Sequence, residues 1–115
     1  SRKIAEEKPQ LVENVLRAYT RAIATLIKER EKSIQVMGKY MRVSDPRVVE
    51  NAYERYREEV DRVPLPSDKA IQNTLEISHR VAPKLAGIDI KQHLHFGPVQ
   101  RLVKEGFVEQ LYKRK

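Results

Sequence analysis

Residues Lys8–Ile27, KPQLVENVLRAYTRAIATLI, carry the longest unbroken helical period in the chain, and they constrain every other segment. At ~100° per residue, Leu11, Val12, Val15, Leu16, Tyr19, Ala22, Ile23, Leu26 and Ile27 fall within an arc of about 160°. Glu13, Asn14, Arg17, Thr20, Arg21 and Lys28 fill the rest of the circle. A helix with so broad an apolar stripe is stable only when other segments cover it.

Pro9 suits the first turn of this helix, where its missing N–H costs nothing. Ser1–Glu7 ahead of it carries little pattern beyond Ile4 and Ala5. The charged run Lys28–Lys32 breaks the period, as a helix end or a kink. A second helix is expected over Ser33–Met41, with Ile34, Met37, Tyr40 and Met41 turned inward and Gly38 weakening it. Val43-Ser44-Asp45-Pro46 is the clearest start signal, an N-cap acceptor followed by proline at the first helical position. In the third helix that follows, Val48, Val49, Ala52, Tyr53, Tyr56 and Val60 share about 140° of arc.

Val63–Ser67, VPLPS, is an internal linker, because each proline disfavours helix in the residue before it. Ser67-Asp68 caps a fourth helix from Lys69 to about Ala82, with Ile71, Thr74, Leu75, Ser78, Val81 and Ala82 on its packing side. Pro83 closes it, Lys84–Gly87 is a turn, and Ile88–Leu94 reads as irregular or a single turn. Gly97-Pro98 opens a last helix, Val99–Lys104, which Gly106 ends. Phe107-Val108 and Leu111-Tyr112 then supply a short amphipathic turn able to close the core. The expectation is an all-α fold of about five helices in a single domain, 1–115.

A chain of 115 residues can bury about two-thirds of the surface it exposes unfolded, enough for one core. It has no cysteine, which excludes disulfides and thiolate metal sites. Its longest charge-free apolar run, Ala22–Ile27, is far short of the ~20 residues of a membrane span, and SRKIAEEK lacks the apolar core of a signal peptide. The net charge of +7 invites a nucleic-acid reading, but the cations alternate with acids, as in Lys28-Glu29-Arg30-Glu31-Lys32. The one basic cluster is the tail Lys113-Arg114-Lys115. Specific nucleic-acid binding is not expected.

The residue types that carry chemistry are sparse. His93 and His95 point the same way only on a strand, and no third ligand is near. His79 lies at the edge of its helix's packing face, where a hydrogen bond or water is expected. Tyr19, Tyr40, Tyr53 and Tyr56 coincide with apolar stripes and read as core rim, with hydroxyls reaching solvent or a carbonyl, in preference to stacking platforms. Glu54, Glu58, Glu59 and Asp61 crowd one helix, and nothing suggests an acid–base pair among them in a water-excluding cleft. Arg17 and Arg21, one turn apart, read as surface charges and not as an anion clamp. There is no phosphate loop, nucleophile elbow or Cys/His couple. No enzyme activity, catalytic residue, metal site or cofactor is expected, and no ligand-binding residue is assigned.

From Ile4 through Tyr112 the sequence resembles the C-terminal region of the solute-binding proteins of nitrate/sulfonate/taurine-type ABC importers and their thiamine-pyrimidine-binding relatives. The resemblance runs in order through AEEKPQLVENVLRAYTRAI (Ala5–Ile23), VSDPRVVENAYE (Val43–Glu54), the proline-broken VPLPS, AIQNTLEI (Ala70–Ile77) and the closing FGPVQRLVKEGFVEQLY (Phe96–Tyr112). It implies the helical C-terminal part of a two-lobed periplasmic-binding-protein-like fold whose α/β lobes, ligand cleft and secretion signal lie outside these residues. It further implies a periplasmic or extracellular location, and a small organic ligand and an ABC permease as partners of the whole protein. The short chain would then be a scaffold that binds no ligand and, with its stripe uncovered, self-associates. The rival readings are an independent helical protein-protein interaction module and, favoured by charge alone, a basic nucleic-acid-binding helical domain.

Overall fold

A computed structural model of the chain describes residues 2–85 and 87–113. Among them are seven α-helices and no strand: α1 (Arg2–Glu7), α2 (Pro9–Lys28), α3 (Arg30–Met41), α4 (Pro46–Glu59), α5 (Asp68–Val81), α6 (Gly97–Lys104) and α7 (Phe107–Tyr112). Two 3-10 turns, Pro83–Leu85 and Ile90–His93, lie between α5 and α6. The fold is all-α, as expected, with two short helices, α1 and α7, beyond the expected five. Of the expected turn Lys84–Gly87, Ala86 lies outside the described residues, as do Arg114 and Lys115 of the basic tail.

Local chemistry sets most boundaries. Pro9 opens α2, and Lys8 before it leaves the helical region (φ −134°, ψ 57°), which is the restriction proline places on its predecessor. That one residue separates α2 from α1, a helix missed because RKIAEE has too few apolar residues to show a period. The expected break within Lys28–Lys32 falls at Glu29 (φ −114°, ψ 72°), which alone separates α2 from α3, and α3 starts at Arg30, ahead of the expected Ser33. The Asp45 carboxylate accepts from the Arg47 amide at 2.9 Å and caps α4. Ser67 Oγ caps α5 by accepting from Ala70 N at 3.2 Å. Gly106, at φ 71°, takes the left-handed conformation that ends α6 and starts α7, which L side chains adopt only with strain.

Packing falls into two lobes of contact about α2. On one side α6 and α7 bring Val99, Leu102, Phe107 and Val108 into the core beside buried Thr20, Ile23 and Ala24. On the other, α3 and α4 form a helical pair whose buried members are Ser33, Val49 and Tyr53. Gly38 sits in that pair, its missing Cβ 3.8 Å from both Val49 methyls. Arg30 of α3 adds an ion pair to Glu54 of α4 at 2.9 Å. The α5 helix has no buried residue, and its main contact is the 3-10 turn that follows it.

Several side chains expected inside are outside. Tyr40 and Met41 of α3 are 78% and 41% exposed, and Val81 of α5 is 80% exposed. Val48 and Tyr56 of α4 are each nearly half exposed, whereas Val49 and Tyr53 of the same face are buried. The largest departure is on α2. Its buried face centres on Thr20, with Leu16, Ile23, Ala24 and Ile27 around it, and α7 docks on Arg17, Arg21, Ala24 and Lys28. At ~100° per residue that face is rotated by about 100° from the middle of the apolar stripe. One edge of the stripe (Leu16, Ile23, Ile27) and the adjoining arc read as polar are therefore the covered side, while Leu11, Val15 and Tyr19 remain 51%, 59% and 52% exposed.

The consequence is an open molecule. Its Cα radius of gyration is 17.4 Å, against about 13 Å for a compact chain of this length. Its accessible surface of 9453 Å² exceeds the roughly 6,500 Å² expected of a compact monomer of this mass.

Candidate functional site

Arg17 is where the polar side of α2 meets the α6–α7 junction. Its guanidinium donates to Glu13 at 2.8 Å and to Glu105, and stacks 4.9 Å above the Phe107 ring centroid. Those hydrogen bonds, to Glu13 first and to Glu105 second, raise its pKa above the ordinary guanidinium value. Arg21 covers the same ring at 5.4 Å. The pair is thus a clasp on Phe107 and not a free surface pair, and with two carboxylates on Arg17 it leaves little charge for an anion.

The tyrosines separate by environment. Tyr53 is fully buried and donates its hydroxyl to the Leu26 carbonyl at 3.0 Å, the carbonyl-bonded alternative of the expectation. Tyr19, Tyr40 and Tyr56 are all substantially exposed. With Tyr53 buried and hydrogen-bonded, the four do not make a common stacking surface. Of the crowded acids, Glu54 is committed to Arg30 and to Arg57, and Glu59 to Arg55 at 3.1 Å.

His93 and His95 are exposed and border a cleft of about 410 Å³ with Arg2, Ala5 and Glu6 of α1. Among the described residues no group of three or more His, Asp or Glu is placed to hold a metal ion. The His79 Nε2 is buried without a hydrogen-bond partner among the described residues, as is the Tyr112 hydroxyl. Burial raises the Tyr112 pKa, and the Arg62 guanidinium above its ring opposes that shift.

A hollow of about 450 Å³ lies between α5 and residues 88–94, and Ile71, Leu75, Ile88, Ile90 and Leu94 make it apolar. Its two hydroxyls are turned back on their own helix: Thr74 donates to Ala70 O at 2.8 Å and Ser78 to Thr74 O at 2.7 Å. A specific site for a small polar molecule needs a few convergent polar groups, and here His93 stands without company.

What remains is the α2 stripe of Leu11, Val15 and Tyr19, continued by exposed Ala18 and Ala22 toward a groove of about 300 Å³ between α2 and α3. Leu26, Val36 and Met37 border that groove. Periodicity located the stripe; that it stays uncovered is a property of the packing. No described helix is long and apolar enough to cross a membrane. Fold and surface together define an all-α protein with an uncovered apolar face. No family model, curated protein or solved structure matches the chain.

Proposed function

We propose that this chain is the helical C-terminal scaffold of an extracytoplasmic solute-binding protein that delivers a small organic ligand to an ABC permease. The observation that supports the reading is the surplus of surface, 9453 Å² against roughly 6,500 Å² for a compact monomer, with α5 unburied and the α2 stripe open. Such a surplus suits a segment whose faces are completed by other parts of one protein. The ordered sequence resemblance supplies the identity of those parts, two α/β lobes. The ligand pocket then belongs to the lobes, and the helical part holds them.

The coding sequence upstream of Ser1 tests this first: it is expected to encode two α/β lobes behind a secretion signal. Calorimetric titration with sulfonates, carboxylates, nitrate and pyrimidines is the second arm, with saturable binding expected of the whole protein and none of the 115 residues. A natural start near Ser1, or saturable binding by the short chain, overturns the proposal. The open stripe also favours a second reading, an independent helical interaction module, and a natural start near Ser1 would select it. Nucleic-acid binding has only the net charge of +7 in its favour.

A further inference from the structure

We propose that two copies of this chain, standing alone, associate as an isologous dimer through antiparallel packing of α2 against α2. The inference concerns the 115 residues by themselves and does not rest on the solute-binding reading, in which the lobes would compete for the same face.

The exposed stripe of α2 is self-complementary. At ~100° per residue Leu11, Val15, Ala18, Tyr19, Ala22 and Leu26 lie within about 100° of arc. The first five are exposed and Leu26 is half-buried. Place a two-fold axis beside Ala18 and Tyr19, at the middle of the helix. Val15 then faces the partner's Ala22 and Leu11 faces the partner's Leu26. Val15 and Tyr19 thus each meet an alanine, and Leu11 meets the recess that Leu26 borders, which allows close helix packing. The recess is the groove of about 300 Å³ that Ala22, Leu26, Val36 and Met37 border. A knob at one end of the stripe and a hole at the other, related by the axis, are what an isologous contact requires.

Charge agrees with the antiparallel sense. Lys8 and Glu29, both exposed, flank the two ends of α2, and the axis sets Lys8 against the partner's Glu29 twice. Lys8 has no ion pair among the described residues, and Glu29 holds only an exposed one to Lys32 at 3.1 Å. A parallel pair would instead set like charges together at both ends, which costs affinity.

The area is adequate for a weak dimer. Half-exposed Leu11, Val15 and Tyr19 with two alanines offer roughly 400 Å² of apolar surface per chain. Since about 65% of a homodimer interface is apolar, the pair buries roughly 1,200 Å² in all, just above the ~1,000 Å² of a specific contact.

Sedimentation equilibrium across a concentration series is expected to move from 13.4 kDa toward twice that mass. Val15→Glu and Tyr19→Lys, at exposed positions that leave helix content by circular dichroism unchanged, are each expected to weaken association at least tenfold. Orientation is read by cross-linking, because the chain has no cysteine of its own. Ala18→Cys is expected to oxidise to a covalent dimer. Val15→Cys is expected to stay monomeric alone and to cross-link when mixed with Ala22→Cys. A constant mass of 13.4 kDa, a dimer indifferent to Val15→Glu and Tyr19→Lys, or self-linking of Val15→Cys overturns the proposal.

Discussion

Replacing Tyr53 by Phe isolates the contact that ties three helices at one atom. The Leu26 carbonyl is among the last four of α2, which a helix leaves without an intrahelical amide. Two side chains reach it, Tyr53 Oη of α4 at 3.0 Å and Ser33 Oγ of α3 at 3.4 Å. Tyr53→Phe keeps the buried ring and removes the better donor. The loss of a net hydrogen bond, about 1 kcal/mol, adds to partial desolvation of a carbonyl left with one long bond, for a total of about 2 kcal/mol. For a chain of this size that is a fall in melting temperature of roughly 8 °C. Ser33→Ala alone is expected to cost about 0.5 kcal/mol, because its bond is long. The double variant should exceed the sum by about 0.5–1 kcal/mol, since only then is the carbonyl orphaned. Urea unfolding followed by far-UV circular dichroism, at one low protein concentration so that association does not contribute, measures all four corners of the cycle. A Tyr53→Phe effect under about 0.5 kcal/mol, or strict additivity of the pair, would refute the shared-acceptor argument.

Two further outcomes follow from the same packing. Gly38→Ala is expected to stabilise the protein by about 0.5–1 kcal/mol in the same urea assay, because the added methyl meets Val49 at an ordinary 3.8 Å and the helix loses its most flexible residue; destabilisation would mean that α3 and α4 cannot accommodate it. The Asp45 carboxyl, held below its usual range by Arg47 through the side-chain and then the backbone hydrogen bond, contributes stability that is present above its unfolded pKa and fades as pH falls through the lower folded value. Thermal melts below about pH 4 should therefore show a smaller drop for Asp45→Asn, which can still cap the helix, than for the unsubstituted chain. Parallel pH curves would show that the depressed carboxyl plays no part.

The sequence by itself determined where most helices begin and end, because those boundaries are decided within a few residues. Pro9, the Asp45-Pro46 cap, the Ser67 cap, the VPLPS linker and the Gly106 stop all lie where local backbone chemistry places them. It also located the apolar stripe of α2, and nothing among its charged or aromatic residues pointed to a chemical centre. The α1 helix has no apolar period of its own to be legible in the sequence, and it runs on toward α2, where Lys8 N still donates to Ile4 O at 2.9 Å.

Only the tertiary structure decided which face of α2 is covered. Thr20 is fully buried because its hydroxyl donates back to Leu16 O at 2.8 Å, so that a residue counted as polar presents a methyl to the core. Ser33 and Tyr53 are likewise carried inside by the Leu26 carbonyl. Arg17 and Arg21, polar by any scale, accept α7 because flat guanidiniums and long aliphatic stems can lie on Phe107. Periodicity measures how apolar a face is. Burial also depends on whether a small residue and a satisfied hydrogen bond let another helix approach, and that is settled by partners distant in sequence.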